Sequence, residues 1–129
     1  MKVVKAFPPN IDKILRKFKI TDHTVFAYGD TLYNPIGKEI SQDLMVHEET
    51  HERQQQAYGV EAWWQMYIDN KNFRLTQETE AYRNQFQFLK TVLNRLGRKI
   101  ALDRLATQLS SELYGNIINK KEAKGLIDA

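Results

Sequence analysis

Cysteine is absent from this 129-residue chain. That excludes disulfides and thiolate metal sites, so any bound metal must be held by nitrogen and oxygen. Proline (three) and glycine (six) are sparse, and most of them fall between periodic segments. No apolar run approaches the roughly 18–20 residues of a membrane span, so no membrane association is expected. The N-terminal MKVVKAFPPN starts basic but meets Pro8 and Pro9 before the apolar core of a signal peptide can form. The expectation is a protein acting where it is made, in the cytoplasm. Charge imbalance is also slight, at +3 with a pI near 9.1. The densest basic stretch, Lys13 to Lys19 (KILRKFK), spaces its charges around Ile14, Leu15 and Phe18. It reads as the solvated face of an amphipathic helix. With no zinc finger, phosphate loop or RNA-binding signature, no nucleic-acid partner is expected.

What is present is a globular composition, with 42% hydrophobic and 27% charged residues. The length suits one domain, residues 1–129, with one core. KVVKAF (2–7) is β-branched and aromatic, which predicts a strand stopped by Pro8-Pro9. Asn10 is placed to cap a helix over about 11–19. Val25–Tyr28 and Thr31–Tyr33, split by Gly29-Asp30, predict a hairpin with a type II′ turn. Ser41 and Gly59 bracket a helix over 42–58. A short apolar helix follows over 60–70. A long helix capped by Thr76 is expected to reach about Leu96, then another over 98–114 ending at Gly115. Asn119 with Glu122 resembles a capping box before a last helix. The predicted fold class is α+β: a small N-terminal sheet with a hairpin, packed on a mainly helical body.

The stretch DLMVHEETHERQQQAYG, inside the 42–58 helix, carries the chemistry. On a helix, residues i and i+4 share a face, about 5–6 Å apart at Cβ. His47 and His51 can therefore address one ion. Glu48, about 100° further round, can reach a water on that ion and take its proton. A catalytic site of this type needs a third ligand and an open position. His23, in the TDHT loop, has nothing in its context that aims it there. The better candidates are Glu78 and Glu80, in LTQETEAYRNQ. The apolar stripe of that helix runs through Tyr82, Phe86, Leu89, Leu93 and Leu96, and four residues before Tyr82 is Glu78. Glu80 falls on the far side, with Asn84, Gln87 and Thr91. A carboxylate on a buried face is costly unless paired or bound to a metal, which favours Glu78. An acidic residue in a helix's first turn also answers the macrodipole, and that is the plain alternative for Glu78.

His47, Glu48 and His51, followed by a glutamate on a downstream helix, resemble the zincin metallopeptidases of the glutamate-ligand branch, the gluzincins. The resemblance spans about Val25 to Tyr82, and the size is similar to the single-domain minigluzincins. HEETHERQQ and ETEAYRNQ also resemble small phage and prophage proteins. The resemblance implies a zinc ion on His47, His51 and Glu78, with Glu48 as general base. Many gluzincins carry an aspartate four residues after the glutamate ligand, bonded to the first histidine. Here that position is Tyr82, or Asn84 if Glu80 were the ligand, so the choice between the two glutamates stays open. Tyr82 and Tyr114 are the tyrosines considered as oxyanion donors. Trp63 and Trp64 fit packing or an exposed partner surface. The implied function is a zinc endopeptidase acting on a peptide or protein, laid on the hairpin's edge strand. The alternative is a non-catalytic metal-binding protein with a phage structural or host-interaction role.

Overall fold

The computed structural model describes residues 1–129. Three short strands form the sheet: Lys2–Val4 (β1), Phe26–Tyr28 (β2) and Thr31–Tyr33 (β3), in the order β1-β3-β2. β1 runs parallel to β3, in the register Val3↔Leu32. β2 and β3 form the predicted hairpin, in the register Ala27↔Leu32. Gly29 sits at φ +63° in its two-residue loop, as a primed turn requires. The first strand is shorter than 2–7. Pairing stops where Asn34 N–H donates to Val4 O (2.8 Å), because β3 gives way to the Pro35–Gly37 turn.

Six helices make up the body. Ile11–Lys17 (α1) ends two residues early, at an extended Phe18, and Asn10 makes no side-chain cap bond. Gln42–Tyr58 (α2) has its predicted bounds. Ser41 Oγ accepts from Leu44 N–H, and Gly59 at φ +87°, a conformation L residues rarely adopt, stops the helix. Val60–Asp69 (α3) follows, and both tryptophans are buried in packing rather than exposed.

Lys71–Val92 (α4) begins six residues before the predicted start, because Asn70 rather than Thr76 is the cap. Glu78 is therefore in the third turn, where the dipole explanation for an acidic residue does not apply. α4 also ends before Leu96. Asn94 caps the next helix, Arg95–Leu109 (α5), accepting from Gly97 N–H (2.8 Å). A Cβ on Gly97 would lie 3.2 Å from Asn94 Oδ1, so the glycine fits this close cap rather than terminating α4. Leu96, expected on the buried stripe, is exposed. α5 stops at Leu109. A 3-10 turn, Glu112–Tyr114, completes the segment before Gly115. The capping box at Asn119–Glu122 opens Lys120–Ile127 (α6).

The fold is α+β, as expected. One apolar cluster joins α4, α5 and α6 through Phe86, Leu89, Leu105, Leu109 and Ile127. A second joins α1, the sheet and α3 through Ile14, Phe26, Trp63, Trp64 and Tyr67. α2 packs on α4, α3 and β2. No helix is long and apolar enough to cross a membrane.

Candidate metal centre

The face α2 turns inward is wholly polar: His47, Glu48, Thr50, His51, Gln54 and Gln55. The spacing is that of a buried helical stripe, but polar side chains fill it. α4 answers with Gln77, Glu78, Thr79 and Gln85. At the centre, His47 Nε2 lies 3.1 Å from Glu78 Oε1, and His51 Nε2 lies 3.2 Å from the same carboxylate. All three residues are at most 4% exposed. Their ligand atoms lie within 4.8 Å of one another, so the group can hold a metal ion.

The other ring nitrogens decide what faces that centre. His47 Nδ1 meets Gln85 Oε1 at 3.0 Å, and Gln85 Nε2 donates to Asp43 Oδ2 at 2.8 Å. His51 Nδ1 meets Gln54 Oε1 at 2.8 Å, and Gln54 Nε2 donates to Glu80 Oε1 at 2.7 Å. An ionised carboxylate only accepts, so each glutamine must turn its NH₂ to the carboxylate and its carbonyl to the ring. Each ring must then carry its proton on Nδ1, leaving the Nε2 lone pair for the centre. Tyr67 O–H donates to Glu78 Oε2 at 2.5 Å, which leaves Oε1 for the centre. Both ring lone pairs thus meet the Glu78 carboxylate at about hydrogen-bond distance. A proton or a cation between them removes the repulsion.

The ionisation tendencies agree. Burial opposes charge on His51, but the Glu78 carboxylate outweighs it and raises the ring to about 9. Burial also opposes the ionised form of Glu78, yet the two histidines hold it well below the usual carboxylate range. Glu48 differs. Burial raises its pKa, the charges of His47 and His51 only partly offset this, and no hydrogen bond acts on it. It is a buried carboxyl beside the cluster with its lone pairs uncommitted.

Two cavities meet here. One, about 70 Å³, is mainly apolar, with walls from Ile14, Phe18, Phe26, Trp63 and Trp64. The other, about 350 Å³, is a polar trough bordered by Lys38, Asp43, Gln85 and Arg104. Thr24, Val25, His47, Glu48, Leu113 and Tyr114 line both. Tyr114 and Tyr82 join through their hydroxyls at 2.7 Å, and the Tyr82 ring packs edge-on to His47. Beside the small cavity, β2 is an edge strand. Gln55, fully buried, donates to Ala27 O (2.9 Å) and accepts from Gly29 N–H (2.7 Å), as a neighbouring strand would. Trp64 Nε1 also donates to Ala27 O, so the outer edge of β2 is taken up at Ala27 O and beyond.

No protein-family model matches this chain, and neither a curated protein nor a solved structure matches it.

The structure thus brings His47, His51 and Glu78 together, with Glu48 at the rim. It turns Glu80 outward onto Gln54, and it leaves His23 exposed in its own threonine turn. Sequence reasoning missed Tyr67, Gln54, Gln85 and Arg74. Arg74, buried and over Phe18, donates to Tyr67 O, Ile68 O and Tyr114 O, fixing the backbone of two tyrosines of the site. A signal for the glutamines was present: residues 54 and 85 lie seven positions from His47 and Glu78, two helical turns along the same faces.

Proposed function

We propose that the protein is a zinc-dependent metallopeptidase, with His47, His51 and Glu78 as ligands and Glu48 as general base. The separations of 3.1 and 3.2 Å between donor atoms are close to the ~3.3 Å edge of a tetrahedron built on zinc bonds of about 2.0–2.1 Å. The two imidazoles and one carboxylate leave one position of such a tetrahedron to be filled. Zinc held there would lower the pKa of a water to about 7 and polarise a carbonyl.

The observation that carries the reading is Glu48. A metal site serving stability alone has no use for a buried carboxyl without hydrogen bonds beside its ligands. Burial raises its pKa towards the range in which a carboxylate both takes and returns a proton efficiently. In the proposed reaction Glu48 accepts the proton of the attacking water. It then passes that proton to the nitrogen of the leaving amine. Tyr114 lines both cavities and serves as the oxyanion's hydrogen-bond donor, held by the Tyr82 hydroxyl. Tyr67, committed to Glu78, orients that ligand. The substrate is a peptide whose contact with β2 is confined to the Val25–Ala27 N–H stretch, since Gln55 and Trp64 occupy the rest.

The second reading, a non-catalytic metal-binding module of phage structural or host-interaction type, draws on the small size of the apolar cavity. Glu48→Gln separates the two. With a pool of quenched fluorescent peptides, zinc-loaded wild type should hydrolyse, and the variant should keep its zinc while losing about 10²–10⁴-fold in rate. Equal rates would remove Glu48 from the mechanism. Zinc-loaded wild type that cleaves nothing would favour the second reading.

A further inference from the structure

The polar trough has a feature that hydrolysis alone does not use. Two cations line it, and neither has a close carboxylate partner. Arg104 Nη2 stands 3.7 Å from Asp43 Oδ2, a loose pair, and its side chain is about half exposed. Asp43 is already engaged by Gln85 Nε2 at 2.8 Å. Lys38 forms no ion pair, yet its charge is felt at Glu48. Its position is built rather than incidental. Asn34, 4% exposed, donates through Nδ2 to Lys38 O (2.7 Å) and accepts from Lys38 N–H at Oδ1 (3.2 Å). Gly37, at φ +68°, closes the same turn onto Asn34 O. A buried amide and a left-handed glycine thus fix the backbone that presents Lys38 to the trough.

From this we infer that the trough is a carboxylate-binding subsite, in which Lys38 and Arg104 read an anionic group of the substrate next to the bond that Glu48 serves. The inference rests on the metallopeptidase reading. With a divalent ion on the cluster, its charge and those of Lys38 and Arg104 outweigh Asp43, Glu48 and Glu78, so the loaded trough favours an anion. Arg offers a two-pronged match to a carboxylate and Lys a point charge. The mainly apolar cavity on the other side of His47 and Glu48 completes the pattern: an apolar group on one side and a carboxylate on the other. The carboxylate can be a peptide's C-terminus or an acidic side chain.

The test is zinc-dependent binding by calorimetry, using three hydroxamates that share a leucine: hydroxamate-Leu-Gly with a free carboxylate, hydroxamate-Leu-Glu amide and hydroxamate-Leu-Gln amide. At least one of the two anionic probes should bind about tenfold more tightly than the neutral one, the effect of a charge-assisted contact. Whichever does so identifies the source of the carboxylate. Arg104→Gln should remove that preference while leaving the neutral probe's affinity unchanged, and Lys38→Gln should reduce it. Equal, zinc-dependent binding of all three would overturn the carboxylate subsite and leave the metal site standing. Absence of zinc-dependent binding by any probe would overturn both.

Discussion

α4 runs through two interiors of opposite chemistry. Up to Gln85 its buried residues are mostly polar: Gln77, Glu78, Thr79 and Gln85 beside Ala81 and Tyr82, facing α2, whose own buried face is entirely polar, and Arg74, bonded to the backbone of α3 and Tyr114. Further along it buries Phe86 and Leu89 against Leu105, Ala106 and Leu109 of α5 and Ile127 of α6. The apolar end needs only shape and volume, because removing hydrocarbon from water is favourable without direction. The polar end must match every buried donor and acceptor, since an unpaired buried group costs about 1–3 kcal/mol. For the two imidazoles it does so with two relays, His47–Gln85–Asp43 and His51–Gln54–Glu80, while Thr79 Oγ1 finds no partner and Glu48 accepts no hydrogen bond. Apolar residues would pack the same helices with fewer constraints. What the polar end provides is three lone pairs aimed at one point.

The comparison breaks most sharply at Glu78. Glu78→Ala should take metal content from about one ion per chain to none, as read by elemental analysis after dialysis against zinc. Retained metal would move the site elsewhere. Leu105→Ala should do the reverse. It should lower stability by about 2–5 kcal/mol in denaturant titration and leave metal stoichiometry intact. A shift in both quantities would mean that the two interiors are coupled. Gln85→Ala and Gln54→Ala should each weaken metal binding by about 10–100-fold, through loss of the tautomer control each glutamine exerts. Unchanged affinity would show that the relays do not set the tautomers.

The smallest effect is on pH. His51 is raised from 6.5 to about 9, so in the metal-free protein its contribution to stability is complete below 6.5 and is lost as pH rises through 9. Glu78 is lowered from 4.5, so its contribution is present above 4.5 and is lost as pH falls. Thermal denaturation of the metal-free protein should therefore show highest stability between about 4.5 and 6.5 and a decline on the alkaline side. Glu78→Ala should flatten that decline. A decline of the same size in the variant would place its origin outside the cluster.

The same contrast explains how much the sequence revealed. α2 was legible to the residue, because Ser41 and Gly59 are strong end signals and HEETH marks its face. Glu78 was legible from helical phase, since its distance from Tyr82 survives an error in the helix's start. That start is misplaced because Lys71-Asn72-Phe73 shows no apolar periodicity, and Asn70 reads as the last residue of the preceding 60–70 helix. Gly97 misled for a related reason: it suits a helix end, yet here it lies under the side chain of the Asn94 cap. The relay partners were the hardest to see. Gln54, Gln85 and Tyr67 earn their place through contacts across helices, which one-dimensional spacing does not encode.

The central claim is that His47, His51 and Glu78 form a metal site, and elemental analysis of wild type beside His47→Ala tests it most directly. After dialysis against zinc, the account predicts about one zinc per wild-type chain and loss of that zinc in the variant. No zinc in the wild type, or equal zinc in both proteins, would contradict it.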